Sequence, residues 1–121
     1  MLVLVDQSAP RGLRTHFPDH EVVLARQRGW HELASGDLIA AAEAGGFDVL
    51  ITADQNIQYQ QNLTGRRLAL VVLTTNHWDT IRPNLARVVA AVEAIEAGGY
   101  VTVAFDRRPL RRRPYNPSQE D

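Results

Sequence analysis

The chain has 121 residues, 45% of them hydrophobic, enough to bury one core and too few for two. It has no cysteine, which excludes disulfide frameworks, thiol nucleophiles and cysteine-bearing zinc sites; all thirteen basic residues are arginine, which excludes a phosphate-loop lysine, a Schiff base and the lysine of a receiver-type aspartyl phosphate site. The net charge of −1 divides unevenly, because residues 107–121 set five arginines against Glu120 and Asp121, a balance of +3 that leaves −4 on residues 1–106.

Leu2–Val5 is a short apolar run ending at Asp6, the pattern of a strand buried on both faces. Ser8 and Pro10 open a predicted helix that reaches about Pro18, with Leu13 and Phe17 at the i, i+4 spacing. Glu21–Ala25 reads as a second strand, and Arg26–Ser35 as a loop without sustained period. Leu38–Ala44 is helical and stopped by Gly45-Gly46, after which Phe47–Ile51 resumes as a third buried strand. Ile57–Leu63 reads as a glutamine-rich helix and Leu68–Leu73 as a fourth strand. Ile81–Ala97 is the longest predicted helix, with Ile81, Leu85, Val88, Val89, Val92 and Ile95 on one stripe that serves either the core or a dimer. Tyr100–Phe105 is the last strand; residues 1–105 form the expected domain, and 106–121 a flexible tail rich in proline and arginine. No apolar run approaches the ~20 residues a membrane span needs and no charged-then-apolar leader opens the chain, so a cytoplasmic protein with no membrane partner is expected.

Alternating strands and helices imply an α/β fold with a mostly parallel sheet of about five strands between helix layers, binding its ligand where strand order reverses. In the order 2-1-3-4-5, strands 1, 3 and 4 are neighbours. Their C-terminal ends then bring Asp6, Thr52-Ala53-Asp54 and Thr74-Thr75-Asn76 to one rim, toward which Asp37 could lean from the first turn of its helix.

Hard cations such as Mg²⁺ and Mn²⁺ take oxygen ligands and are often held by only a few carboxylates, so three aspartates would suffice. Each has a plainer explanation. Asp54 is a good turn or cap residue, and an aspartate in a first helical turn, like Asp37, is favoured by the macrodipole alone. Asp6 follows a strand expected to be central, where a carboxylate calls for a partner cation or arginine. Arg11 and Arg14, one turn apart, could pair with these acids or meet a phosphate. His16, His20, His31 and His77 lack metal-ligand spacing and read as surface or loop residues. Trp30 and Trp78 could stack a base, although such rings more often close a core.

Taken in order, Leu4-Val5-Asp6-Gln7, Pro10-Arg11-Gly12-Leu13-Arg14, Gly36-Asp37-Leu38-Ile39, Phe47-Asp48-Val49-Leu50-Ile51-Thr52-Ala53-Asp54 and Asn56-Ile57-Gln58-Tyr59-Gln60-Gln61-Asn62 resemble a family of short PIN-like proteins, predicted nucleases and toxins of toxin–antitoxin pairs. The resemblance spans about residues 2–103. It implies a metal-dependent ribonuclease using Mg²⁺ or Mn²⁺, with RNA as substrate, a small helix-turn-helix antitoxin as partner and, in many relatives, a homodimer. Asp6 matches the first acid of the pattern and Asp54 the acid of Thr-x-Asp. Asp37 stands where the family has an acid, usually glutamate, on a helix, and Asn76 near the fourth metal position. Arg11, Arg14, Thr52, Asn56 and Gln60 are the candidate substrate-binding residues. Gln7 stands where the family often has glutamate, and neutral Gln7 and Asn76 leave less negative charge for a second cation. A member that binds RNA or a protein without cutting is the alternative.

Overall fold

The computed structural model describes residues 1–57 and 65–105. The expected glutamine-rich helix beyond Ile57, Gln60 within it, and the basic tail lie outside the described residues.

Five strands form one sheet: β1 (Leu2–Val5), β2 (Glu21–Leu24), β3 (Val49–Thr52), β4 (Ala69–Leu73) and β5 (Tyr100–Val103). All four pairings are parallel, in the order β2-β1-β3-β4-β5 that the rim requires. β3 and β4 are buried at every position, while β2 and β5 are only partly covered at the edges. The β-branched and leucine runs of the central strands follow from this, since a parallel sheet is apolar on both faces when both are covered.

Successive strand residues point to opposite faces, so the sheet feeds two cores. On one face Val3, Val5, Val49 and Ile51 meet Leu13, Ile81, Val88 and Val92. On the other, Leu4, Leu50, Leu70 and Val72 meet Leu38, Ile39 and Ala42 of α1 (Ser35–Ala44). The architecture is therefore α/β in three layers.

The expected long helix from Ile81 is instead broken. A single turn, α2 (Trp78–Ile81), passes into the 3-10 turn Arg82–Asn84, and α3 runs from Leu85 to Ala94. Pro83 lacks the N–H that a continuous ladder needs and its ring crowds the preceding turn, which accounts for the break. The helical stripe survives it: Ile81, Val88 and Val92 are buried, with Leu85, Val89 and Ile95 packed at the margin of the same core, so the stripe faces the sheet.

The expected helix from Ser8 to Pro18 is a 3-10 turn, Arg11–Thr15, preceded by an extended Pro10. Leu13 and Phe17 are buried as their spacing suggested. Within the turn a Cβ on Gly12 would lie 2.9 Å from the Trp78 ring, so glycine lets the indole lie flat on the backbone. The loop after β2 also holds a 3-10 turn, Ala25–Arg28, closed by Gly29 in the left-handed conformation, and α1 begins three residues earlier than expected, at Ser35.

Side-chain carboxylates close the opposite end of the sheet, at the strand N-termini. Asp48 Oδ2 accepts the Leu2 N–H at 2.8 Å, and Glu43 Oε2 accepts the amides of Arg67 and of Leu68, the latter at 3.0 Å. The Leu68 amide, then the Arg67 amide, hold the Glu43 carboxyl below its ordinary value; burial opposes them, and the Arg66 and Arg67 charges add smaller lowering effects.

Candidate metal-binding rim

The sheet reverses strand order between β1 and β3, and the rim at their C-terminal ends is where an open α/β sheet offers a crevice. Val5 pairs with Ile51, and the Asp6 N–H donates to the Ile51 carbonyl at 2.9 Å, so the register carries Asp6 alongside Thr52.

Asp6 is held by neutral donors. Its Oδ2 accepts the Thr52 hydroxyl at 2.8 Å and the Ser8 hydroxyl at 2.8 Å, and its Oδ1 accepts the Gln7 N–H at 2.7 Å. The hydroxyl oxygens in turn accept backbone amides: Ala53 N–H donates to Ser8 Oγ and Asp54 N–H to Thr52 Oγ1, each at 3.0 Å. One carboxylate thus orders the turn after β1 and the turn after β3 together. The partner cation or arginine expected for Asp6 is replaced within the protein by two hydroxyls and an amide, and among the described residues no arginine nitrogen lies within 4.0 Å of it. Ser8, read from the sequence as a helix cap, belongs to this network. Its signal was the Asp6-Gln7-Ser8 spacing directly after a buried strand.

Asp54 is half-buried, and its Oδ1 accepts the Asn56 N–H at 3.1 Å in an Asx turn. Asn56 is exposed and engaged there through its backbone. Thr52 is completely buried and is the one buried polar side chain among the described residues. The third loop joins through Gln55, whose side-chain amide donates to the Thr74 carbonyl at 3.1 Å. Asn76, two residues beyond, is exposed.

Asp37 lies in the first turn of α1 and is exposed. Among the described residues no three histidine, aspartate or glutamate side chains gather closely enough to share a cation. The rim therefore unites Asp6, Thr52, Asp54 and the loop of Asn76, without drawing Asp37 into a common cluster. Arg11 is exposed and lines a cleft with Asp6 and Gln7, whereas Arg14, also exposed, does not line it. The donors at the rim are all oxygens, with carboxylates from two adjacent loops. This fits Mg²⁺ or Mn²⁺ held by one or two carboxylates, waters and substrate phosphate, and does not fit a closed cage of three acids.

No family model, curated protein or solved structure matches this chain. No helix among the described residues is long and apolar enough to cross a membrane.

The aromatic residues near the rim pack inward. Trp78 lies over Gly12 and meets the His16 ring at 5.7 Å between centroids. Trp30 meets the Phe47 ring edge-on at 5.9 Å, with the Arg28 guanidinium 5.0 Å from the Phe47 centroid. His20, expected as a surface or loop residue, lies in the loop before β2 with its ring largely enclosed, Nε2 3.3 Å from Glu93 Oε2 and Nδ1 3.0 Å from the Met1 amine.

Proposed function

We propose that this protein is a Mg²⁺- or Mn²⁺-dependent endoribonuclease of PIN-like type, acting in the cytoplasm as the toxin of a toxin–antitoxin pair. The observation that supports it is that the buried Thr52 hydroxyl, at the strand-order reversal, bonds both the Asp6 carboxylate and the backbone amide of Asp54. Polar side chains are seldom fully buried without reason, and this one fixes two loops that each carry an acid.

Asp6 and Asp54 would hold the cation, with Asn76 on the neighbouring loop as an outer oxygen donor and Asp37, on α1, outside their cluster. Bound there, the cation supplies Lewis-acid chemistry, activating water and offsetting charge on the phosphate. The chain's own work is positioning. The three donors to Asp6 set the direction of its carboxylate before RNA arrives, and Oδ1, with a single amide donor, keeps acceptor capacity. The Asx turn does the same for Asp54. Arg11 and Arg14 offer guanidinium groups to the RNA backbone, with Asn56 after β3; Gln60, also proposed for substrate binding, lies outside the described residues. A small helix-turn-helix antitoxin would act by covering this rim, and a homodimer is compatible with the role.

The test is incubation of structured RNAs with purified protein in Mg²⁺, Mn²⁺ or EDTA. Internal cleavage in either metal and none in EDTA supports the reading; intact RNA in all three, from folded protein, contradicts it.

The absence of a three-acid cluster among the described residues favours a second reading, a PIN-like module that binds RNA or protein without cutting. In that case the arginine-rich tail carries the interaction, and deletion of residues 107–121 removes binding.

A further inference from the structure

Beside the rim, the C-terminal ends of β1 and β2 open into a cleft of about 280 Å³ with Asp6, Gln7, Arg11 and Arg26 among its polar walls and Leu24 and Ala25 among its apolar ones. Both guanidinium-bearing residues are exposed, and neither has a carboxylate within 4.0 Å among the described residues. Two arginines elsewhere in the fold are already engaged. Arg28 is laid over Trp30 and Phe47, and Arg66 pairs with Glu43 at 3.7 Å. Arg11 and Arg26 come from separate 3-10 turns and meet at one cleft, whose charged lining of two arginines and one aspartate sums to +1 on a body that carries −4. Gln7 adds a neutral donor and acceptor where a glutamate would cancel that surplus.

We propose that this cleft binds a backbone phosphate of single-stranded RNA, next along the strand from the one presented to Asp6 and Asp54, with Arg26 and Arg11 as its two cationic walls. The proposal rests on the nuclease reading for the choice of RNA as ligand and adds Arg26 as a substrate-binding residue. Guanidinium suits the task because its planar fork matches two phosphate oxygens. A phosphate held there fixes the strand's direction across the rim, so that Asp6, which lines the cleft and also belongs to the rim network, lies between the two phosphates.

The test uses the full-length chain and a fluorescently labelled single-stranded RNA in EDTA, where no metal-dependent cutting intervenes, with anisotropy read across a salt series. Arg26→Gln and Arg11→Gln are each expected to weaken binding about tenfold at low salt. Each should also flatten the slope of log K against log salt by about 0.7, the loss of one phosphate contact on a single strand. Arg26→Lys should keep the slope while losing part of the affinity, since an ammonium supplies charge without the fork. Arg67→Gln, at the far end of the sheet, removes the same charge and should change neither quantity appreciably. Inorganic phosphate should compete only at far higher concentration than unlabelled RNA; equal competition would make this a free-phosphate site and overturn the assignment to RNA. The proposal also falls if both glutamine variants bind with unaltered affinity and slope, if Arg67→Gln has the same effect as they do, or if the wild-type protein binds no RNA. Because binding is read without metal, loss of affinity in the Arg26 and Arg11 variants beside a wild-type protein that never cleaves would uphold the cleft and reject the nuclease. Metal-dependent cleavage with unaltered binding in those variants would do the reverse.

Discussion

Thr52 Oγ1 donates to Asp6 Oδ2 at 2.8 Å, which ties the first residue past β1 to the last residue of β3 through side chains as well as through the sheet. The same oxygen accepts the Asp54 N–H at 3.0 Å, so one fully buried hydroxyl binds the Asp6 carboxylate and the backbone of the turn that carries Asp54.

Thr52→Val keeps the volume of this side chain and removes both bonds, leaving the Asp54 amide without its acceptor. A loss of about 1–3 kcal/mol in urea unfolding is expected, the usual cost of stranding a buried polar partner. Ser8→Ala, in a part-buried position, should cost about 1 kcal/mol by the same reasoning. Unshifted urea midpoints in both variants would show that the network contributes nothing to folding.

The two acids should respond differently to conversion into amides. Asparagine at position 54 can still accept the Asn56 N–H through its oxygen, so Asp54→Asn should leave stability within about 0.5 kcal/mol of wild type. Asparagine at position 6 would place an NH₂ group where both carboxylate oxygens now accept hydrogen bonds, and a loss of about 1–3 kcal/mol is expected. Thermal unfolding of the two variants side by side checks the ordering; equal stability would mean that Asp6 is not held as described.

Gly98 turns the chain into β5 at φ +76°, where an added Cβ would stand 2.6 Å from the Arg66 carbonyl oxygen. Left-handed backbone strain and a clash with a main-chain atom act together, so Gly98→Ala should cost about 1–3 kcal/mol. A variant as stable as wild type in urea would show that this turn relaxes freely.

Glu43 makes stability depend on pH in a defined direction. Its carboxyl sits below the ordinary 4.5 when folded, because the Leu68 and Arg67 amides bind the charged form. The folded chain therefore holds that proton less tightly than the unfolded chain. The stabilisation is present above 4.5 and lost as pH falls through the lower, folded value. Glu43→Gln should be less stable than wild type near neutrality, with the difference shrinking as pH falls below 4.5. Urea midpoints for both proteins across that range provide the check, and a constant gap would contradict it.

The strands were legible because their evidence is local: Leu2–Val5, Phe47–Ile51 and Leu68–Leu73 are short apolar runs closed by turn residues, and their parallel pairing follows from alternation with helices, whereas the strand order was supposed. The breaks were less legible. Pro83 is visible in the sequence, yet the apolar stripe continues across it, and periodicity alone does not register a lost N–H. Ser8 followed a strand and preceded a proline, which suggests a cap; its real partners are Asp6, two residues back, and the Ala53 amide, 45 residues away in sequence. Arg26 carried no signal, because only the fold sets it beside Arg11. Asp37 shows the converse case: a motif match placed it with Asp6 and Asp54, and among the described residues no three-acid cluster includes it.

The proposed holding of a divalent cation by Asp6 and Asp54 is open to a binding measurement, the titration of Mn²⁺ followed by electron paramagnetic resonance. Wild-type protein titrated with Mn²⁺ should deplete the free-ion signal, and Asp54→Asn, folded to the same melting temperature, should bind at least tenfold more weakly because one of the two proposed ligand charges is gone. Equal Mn²⁺ binding by wild type and Asp54→Asn, or none by either, would contradict the account.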